Sequence, residues 1–298
     1  MRIGIIGAGA LGSFIGAKLS KEHEVILVCR RAHADAIREK GLKISGKTEL
    51  LVKPSVACSA KELEEFGEID LAIITVKAYD TYSAAKEYKK SMKRAEILSI
   101  QNGLGNLEAI ERALGRKAIG GITSHGLTFL EAGHIIHTGL GRTVVGDIDI
   151  AKILTKSGIE TNFTENIEGE IWAKGVVNAC INPLTAILRV KNGVLLELPE
   201  VKKVMKSIFC ECYEVARRKV RLPVNRRELK SRVFDTVRLT SENKSSMLQD
   251  VENGRKTEIG QITGEFVIIG KEFGLEMPVN ETILALMRGV EKFSNRQE

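Results

Sequence analysis

The chain has 298 residues, 43% of them hydrophobic and 28% charged, with 28 glycines and only 5 prolines. At roughly 100–200 residues per domain the length suits two domains, and the apolar share excludes a disordered or fibrous chain. The net charge of +7 does not point to nucleic acid, because the basic residues alternate with acids (KELEE, KEYKKSMKR), as on solvated helix faces.

RIGII at 2–6 reads as a short buried strand, followed by a helix from Ala10 to Lys21. EVILVC is a second strand and ADAIREKG a second helix, closed by Gly41. LAIITV and AEILSI are further strands, the latter followed by a helix over Asn106–Leu114. Strands apolar throughout and separated by helices predict a parallel sheet covered on both faces. Residues 126–148, GLTFLEAGHIIHTGLGRTVVGDI, read as short strands broken by glycine turns, an antiparallel appendix to that sheet. From about Glu165 the pattern turns helical. The shift predicts an α/β domain over 1–165 and an all-α domain over 166–298.

No apolar run approaches the roughly 18 residues of a membrane span, and the first residues lack a signal-peptide pattern. A cytoplasmic protein without a membrane or nucleic-acid partner is expected. Five cysteines without CxxC spacing read as reduced thiols, and no metal site is expected.

Gly7-Ala8-Gly9-Ala10-Leu11-Gly12 stands between the first strand and its helix. There Gly7 makes the tight turn, Gly9 lets the backbone approach a pyrophosphate, and Gly12 lets helix and strand pack closely. The helix amino terminus offers N–H groups to phosphate. The second strand ends in Arg30-Arg31, where an NAD site would place an acid. Guanidinium there suits a 2′-phosphate, which favours NADP(H); the competing reading is a pair of surface cations. Lys77 and Asn102 follow two further strand ends, where ligands of such sheets lie. Lys77 can equally be a surface lysine of the next helix.

In the helical half, Lys174, Asn178 and Asn182 recur at i, i+4, i+8 within an otherwise apolar helix. Either they line a cleft between domains or they are the solvated face of an amphipathic helix; the near absence of other charge favours the cleft. After a polar island at 243–250, a helix over 251–274 is expected to put Glu258 on the same face as Val251, Ile262, Phe266 and Ile269. An acid in an apolar stripe calls for a partner. Lys174 is the candidate, unless Glu258 reaches water from the stripe's edge.

Taken together, GAGALG at 7–12, TVKAYD at 75–80, QNGLGN at 101–106, KGVVNACINPLTAIL at 174–188, NG at 192–193 and NKSSMLQDVENGRKTEI at 243–259 resemble the ketopantoate reductases (2-dehydropantoate 2-reductases). These are NADPH-dependent enzymes of pantothenate and coenzyme A biosynthesis. The resemblance implies a Rossmann domain joined to a helical domain like that of 6-phosphogluconate dehydrogenase. It implies Lys174 as proton donor to the ketone and Glu258 as the acid beside cofactor and substrate hydroxyl. Asn102, Asn178, Asn182, Asn192, Asn243 and Ser246 match substrate contacts, together with Lys174. Gly7, Ala8, Gly9, Ala10, Leu11 and Gly12, with Lys77, Asn102 and Gly126, match positions near the cofactor, and Arg30 or Arg31 the 2′-phosphate reader. The partner is then a small-molecule keto acid, and a homodimer is left open. Two rivals are a reductase of another branched 2-keto acid and a non-catalytic NADP-binding regulator. The regulator would not need the 174/178/182 stripe.

Overall fold

The computed structural model describes residues 1–294. The chain forms two compact units, one of 1–101 with 106–167, the other of 102–105 with the residues from Glu168 on. The first unit begins β1 (Arg2–Ile6), α1 (Ala10–Leu19), β2 (Glu24–Val28), α2 (Arg31–Lys40), β3 (Leu42–Gly46), β4 (Leu50–Val52), β5 (Ser55–Ala57), α3 (Ala60–Glu64), β6 (Leu71–Ile74). It continues through α4 (Thr81–Glu87), β7 (Glu96–Ser99), α5 (Asn106–Leu114), β8 (Ile119–Thr123), β9 (Gly126–Glu131), β10 (His134–Gly139), β11 (Thr143–Val145), α6 (Ile148–Lys156) and β12 (Thr161–Phe163).

The main sheet runs β12-β11-β8-β7-β6-β1-β2-β5. It is parallel from β5 to β8, with β11 antiparallel to β8. Alternation along each strand fills both faces: Ile3, Ile5, Leu71 and Ile73 enter one apolar cluster, and Ile6, Ile26, Ala72 and Ile74 the other. Successive side chains of a strand point to opposite faces, so helices must cover both. The strand order reverses beside β1, which puts the ends of β1 and β6 at the switch point where such sheets bind ligands.

The predicted antiparallel appendix is corrected in one respect. β9 and β10 do pair antiparallel, but they do not extend the main sheet. They join β3 and β4, two strands absent from the sequence reading, in a second sheet ordered β4-β3-β10-β9, with β10 parallel to β3.

The second unit contains α7 (Ile167–Leu188, its first residue counted with the first unit), α8 (Val194–Glu197), α9 (Pro199–Lys219), α10 (Arg226–Leu239), α11 (Ser246–Glu252), a π-helical turn (Gly260–Gly264), α12 (Glu265–Glu272) and α13 (Pro278–Ser294). Its core includes Val176, Ile208, Phe209, Val233, Phe266 and Met287, with Trp172 set edge-on to Phe266 at 5.4 Å.

Two further expectations change here. α7 is long and apolar enough to cross a membrane by length and composition, with a mean hydropathy of 1.3 over an 18-residue window. Lys174, Asn178 and Asn182 interrupt its apolar residues, so no unbroken apolar run of that length stands in the sequence. Its window is 67% buried inside the protein, the position of a core helix. Nor is there one helix over 251–274. α11 ends at Glu252, and Asn253-Gly254, with Gly254 at φ 61°, turns the chain before the π turn begins. Val251 and Glu258 therefore lie on different elements, and the shared-face argument for Glu258 fails although Glu258 is buried.

α7 closes on Arg189, at φ 55° the one non-glycine residue with positive φ among the described residues. The N–H of Val190 reaches back to the carbonyl of Thr185 at 3.1 Å, a Schellman closure whose left-handed position favours glycine. Arg189→Gly is expected to raise unfolding stability by about 0.5 kcal/mol, the relief of left-handed strain less the entropy of a freer unfolded chain. Chemical denaturation measures this; a loss of stability would contradict it.

Candidate active site

The glycine turn is held to both strands beside it. The N–H groups of Gly7 and Ala8 donate to the carbonyl of Val28 at 3.1 and 2.8 Å, at the end of β2, and the Thr75 hydroxyl donates to the carbonyl of Gly7 at 2.9 Å. Gly7 has φ 93°, and a Cβ there would lie 2.4 Å from Val76. A Cβ on Gly12 would lie 2.4 Å from the Thr75 hydroxyl, so this glycine lets α1 pass close to the end of β6. A Cβ on Gly9 would meet nothing within 4 Å among the described residues. No contact inside the protein requires glycine at that position; bare backbone facing open space suits the approach of a phosphate. Gly9 caps α1 without a side-chain hydrogen bond, which leaves the first turn, Ala10 and Leu11 included, uncapped by any side chain.

Arg30 and Arg31 differ. Arg31 lies 3.6 Å from Glu62, which also draws Arg38. Arg30, two residues past the end of β2, is exposed and makes no ion pair among the described residues. Lys77 is half-buried behind β6. Gly126 opens β9, where a Cβ would press on the backbone of Gly139 at 2.9 Å; packing alone explains that glycine.

In the helical unit, the Lys174 ammonium donates to Oδ1 of Asn102 at 2.8 Å. Lys174 is half-buried by surface, yet burial of its charged end governs its chemistry. Desolvation brings its pKa down from 10.5 to about 8, against the opposing pull of Glu258. Glu258 is 5% exposed and so acts on Lys174 from inside the same unit. Asn178 and Asn182 continue along α7 from Lys174, Asn178 half-buried and Asn182 buried. Asn192 donates through Nδ2 to the Thr240 hydroxyl at 2.9 Å, while its buried Oδ1 has no hydrogen-bond partner among the described residues. Asn243 is tied to the same corner, its carbonyl accepting from the Asn192 N–H at 3.0 Å. Ser246 opens α11, capped by the neighbouring Ser245, whose hydroxyl accepts from the Leu248 N–H and from the Thr185 hydroxyl.

Several supporting residues were not singled out from the sequence. Thr75 lies inside the TVKAYD segment, but nothing in its type or spacing announces a bond to the Gly7 carbonyl. His33, buried on α2, accepts from the Gly133 N–H through Nδ1 and meets Ser13 through Nε2 at 3.0 Å. Ser13 in turn reaches the carbonyl of Ala8. Burial lowers the His33 pKa and keeps the ring neutral. Thr185 and Ser245 brace α11 in the same manner.

Fold and site define the class first: a parallel-sheet α/β unit with a glycine turn on its first strand, followed by a helical unit holding a half-buried lysine, is the build of an oxidoreductase. The chain belongs to the ketopantoate reductase PanE/ApbA family, whose model matches residues 3–149, with its C-terminal counterpart over 166–291. A 2-dehydropantoate 2-reductase of Archaeoglobus fulgidus is 38% identical over 97% of this chain and 98% of its own. Among solved structures, a PanE/ApbA family ketopantoate reductase from Ralstonia eutropha superposes with a TM-score of 0.92 at 30% identity, over 99% of both chains. D-mandelate dehydrogenase in complex with NADH and anilino(oxo)acetate superposes at 0.91 and 27%, over 99% of this chain and 100% of that one.

Proposed function

We propose that this protein is a cytoplasmic enzyme that reduces 2-dehydropantoate to pantoate with NADPH, and that its first unit is a Rossmann domain for that cofactor. The observation that carries the reading is Lys174, hydrogen-bonded to Asn102 and brought to a pKa of about 8. A lysine so tuned is protonated at neutral pH yet gives up its proton readily.

A nicotinamide cofactor, when bound, would supply the hydride. The chain's residues do the rest. The glycine turn and the uncapped head of α1 suit the pyrophosphate, and Arg30, without a competing acid, suits the 2′-phosphate. Lys174 donates a hydrogen bond to the ketone oxygen and passes its proton to the developing alkoxide. Asn102 holds the ammonium on one side while Glu258 keeps it charged. The Glu258 carboxyl group accepts from a substrate hydroxyl. Asn178, Asn182, Asn192, Asn243 and Ser246 offer polar groups to the rest of the substrate. The unmatched buried Oδ1 of Asn192 fits a hydroxyl donor, because a buried acceptor left alone costs about 1–3 kcal/mol.

A second reading, a reductase of a different 2-keto acid, draws on the likeness to D-mandelate dehydrogenase. The polar stripe favours a hydroxylated substrate over an aromatic one. Purified protein with NADPH and a panel of 2-keto acids separates the readings. Turnover with 2-dehydropantoate well above that with phenylglyoxylate is expected; the reverse order would overturn the proposal.

Arg30→Ala is expected to weaken NADPH binding about tenfold, one charge-assisted phosphate contact at an exposed site, and to leave NADH binding unchanged. Arg31→Ala should change NADPH binding much less. Fluorescence titration with both cofactors reads the difference, and equal effects of the two substitutions would refute the assignment of Arg30.

A further inference from the structure

Thr257, the residue before Glu258, is 1% exposed and is bound from three sides. Its backbone N–H and its hydroxyl both donate to Oε1 of Glu291 on α13, at 2.8 and 2.6 Å. The same hydroxyl accepts from the Ile259 N–H at 3.2 Å. On its other side, the carbonyl of Glu258 accepts from the N–H groups of Gln261 and Ile262 at 3.1 and 2.9 Å. The backbone of Glu258 is thus fixed before and after. Within the π turn, the carbonyl of Gln261 accepts from the Leu104 N–H at 2.8 Å, two residues past Asn102. One turn therefore fixes Glu258 and also the segment whose asparagine receives Lys174.

Glu291 is not needed to dock α13. That helix is already seated by Glu211, whose carboxylate accepts from the N–H groups of Val279 and Asn280 at 3.0 and 2.9 Å, and by Ile283, Leu284 and Met287 in the core. What Glu291 adds is a charge-assisted hold on one threonine, and such bonds fix geometry more firmly than neutral ones. Misplacing a group by about 1 Å can cost about 10² in rate.

We propose that Glu291 is a positioning residue for the reduction: through Thr257 it sets Glu258 in the place from which Glu258 acts on Lys174 and substrate. The proposal rests on the reading that Lys174 and Glu258 carry the reaction.

The test is a double-mutant cycle on the full chain, with kcat and KM for 2-dehydropantoate, NADPH affinity and melting temperature as readouts. Glu291→Ala and Thr257→Val are expected to lower kcat about tenfold or more with NADPH affinity unchanged. Glu291→Gln and Thr257→Ser, which keep the acceptor and the hydroxyl, should retain most turnover. In a Glu258→Ala background, Glu291→Ala should cost nothing further, since its route to the substrate is gone. If Glu291→Ala does not fold, Thr257→Val carries the same cycle. Normal kcat in both disrupting variants, or a loss that persists in full without Glu258, would overturn the proposal while leaving the site intact. Normal turnover of Glu258→Ala alone would instead remove the reading on which it rests.

Discussion

Lys174→Ala is expected to lower kcat for reduction of 2-dehydropantoate by about 10²–10⁴, the contribution of one well-placed acid–base group. NADPH affinity should change little, because the glycine turn and Arg30 belong to the other unit. The fold itself should not suffer. Holding an ammonium at a pKa of about 8 in place of 10.5 costs the native state up to about 3 kcal/mol at neutral pH, an upper bound for a half-buried group. The sign follows from linkage: the unfolded chain binds the extra proton, so this group adds stability as pH rises from about 8 to 10.5. The alanine variant should lack that rise and melt no lower at pH 7. Near-normal turnover, or loss of NADPH binding, would refute the role given to Lys174.

Glu258→Ala should be the next most damaging change, lowering kcat/KM for 2-dehydropantoate by about 10². A buried carboxylate that accepts from a substrate hydroxyl contributes about 1.5–3 kcal/mol, and its charge also keeps Lys174 protonated. KM should therefore rise together with the fall in kcat, unlike the Lys174 variant, where kcat carries most of the loss. Steady-state kinetics of the two variants side by side distinguish a substrate-orienting acid from a proton donor. An unchanged KM for Glu258→Ala would count against the hydroxyl contact.

The glycine turn was legible because each residue type answers to a local demand: a positive φ at Gly7, open space at Gly9, and a close helix–strand approach at Gly12. The polar stripe on α7 was legible for a similar reason, since i, i+4, i+8 spacing survives whatever surrounds the helix. Partnerships over distance were not. Lys174 meets Asn102, 72 residues earlier, and Thr257 meets Glu291, 34 residues later; no periodicity encodes either. β3 and β4 escaped because a five-residue and a three-residue strand carry little pattern of their own; β3 takes its place from pairing with β10, and β4 from pairing with β3. Glu258 shows the opposite failure. Its burial followed from a face on a helix that Gly254 in fact interrupts, so the acid is buried by the turn that holds it and not by helical phase.

The most direct measurement is the pH dependence of kcat/KM for 2-dehydropantoate with the unmodified protein under saturating NADPH. With Lys174 as proton donor at a pKa of about 8 before substrate binds, kcat/KM should be level in its protonated range and fall about tenfold per pH unit above it. The residual rate of Lys174→Ala should show no such break. A kcat/KM that holds level to pH 10, or a break near pH 8 that survives in Lys174→Ala, would contradict the account.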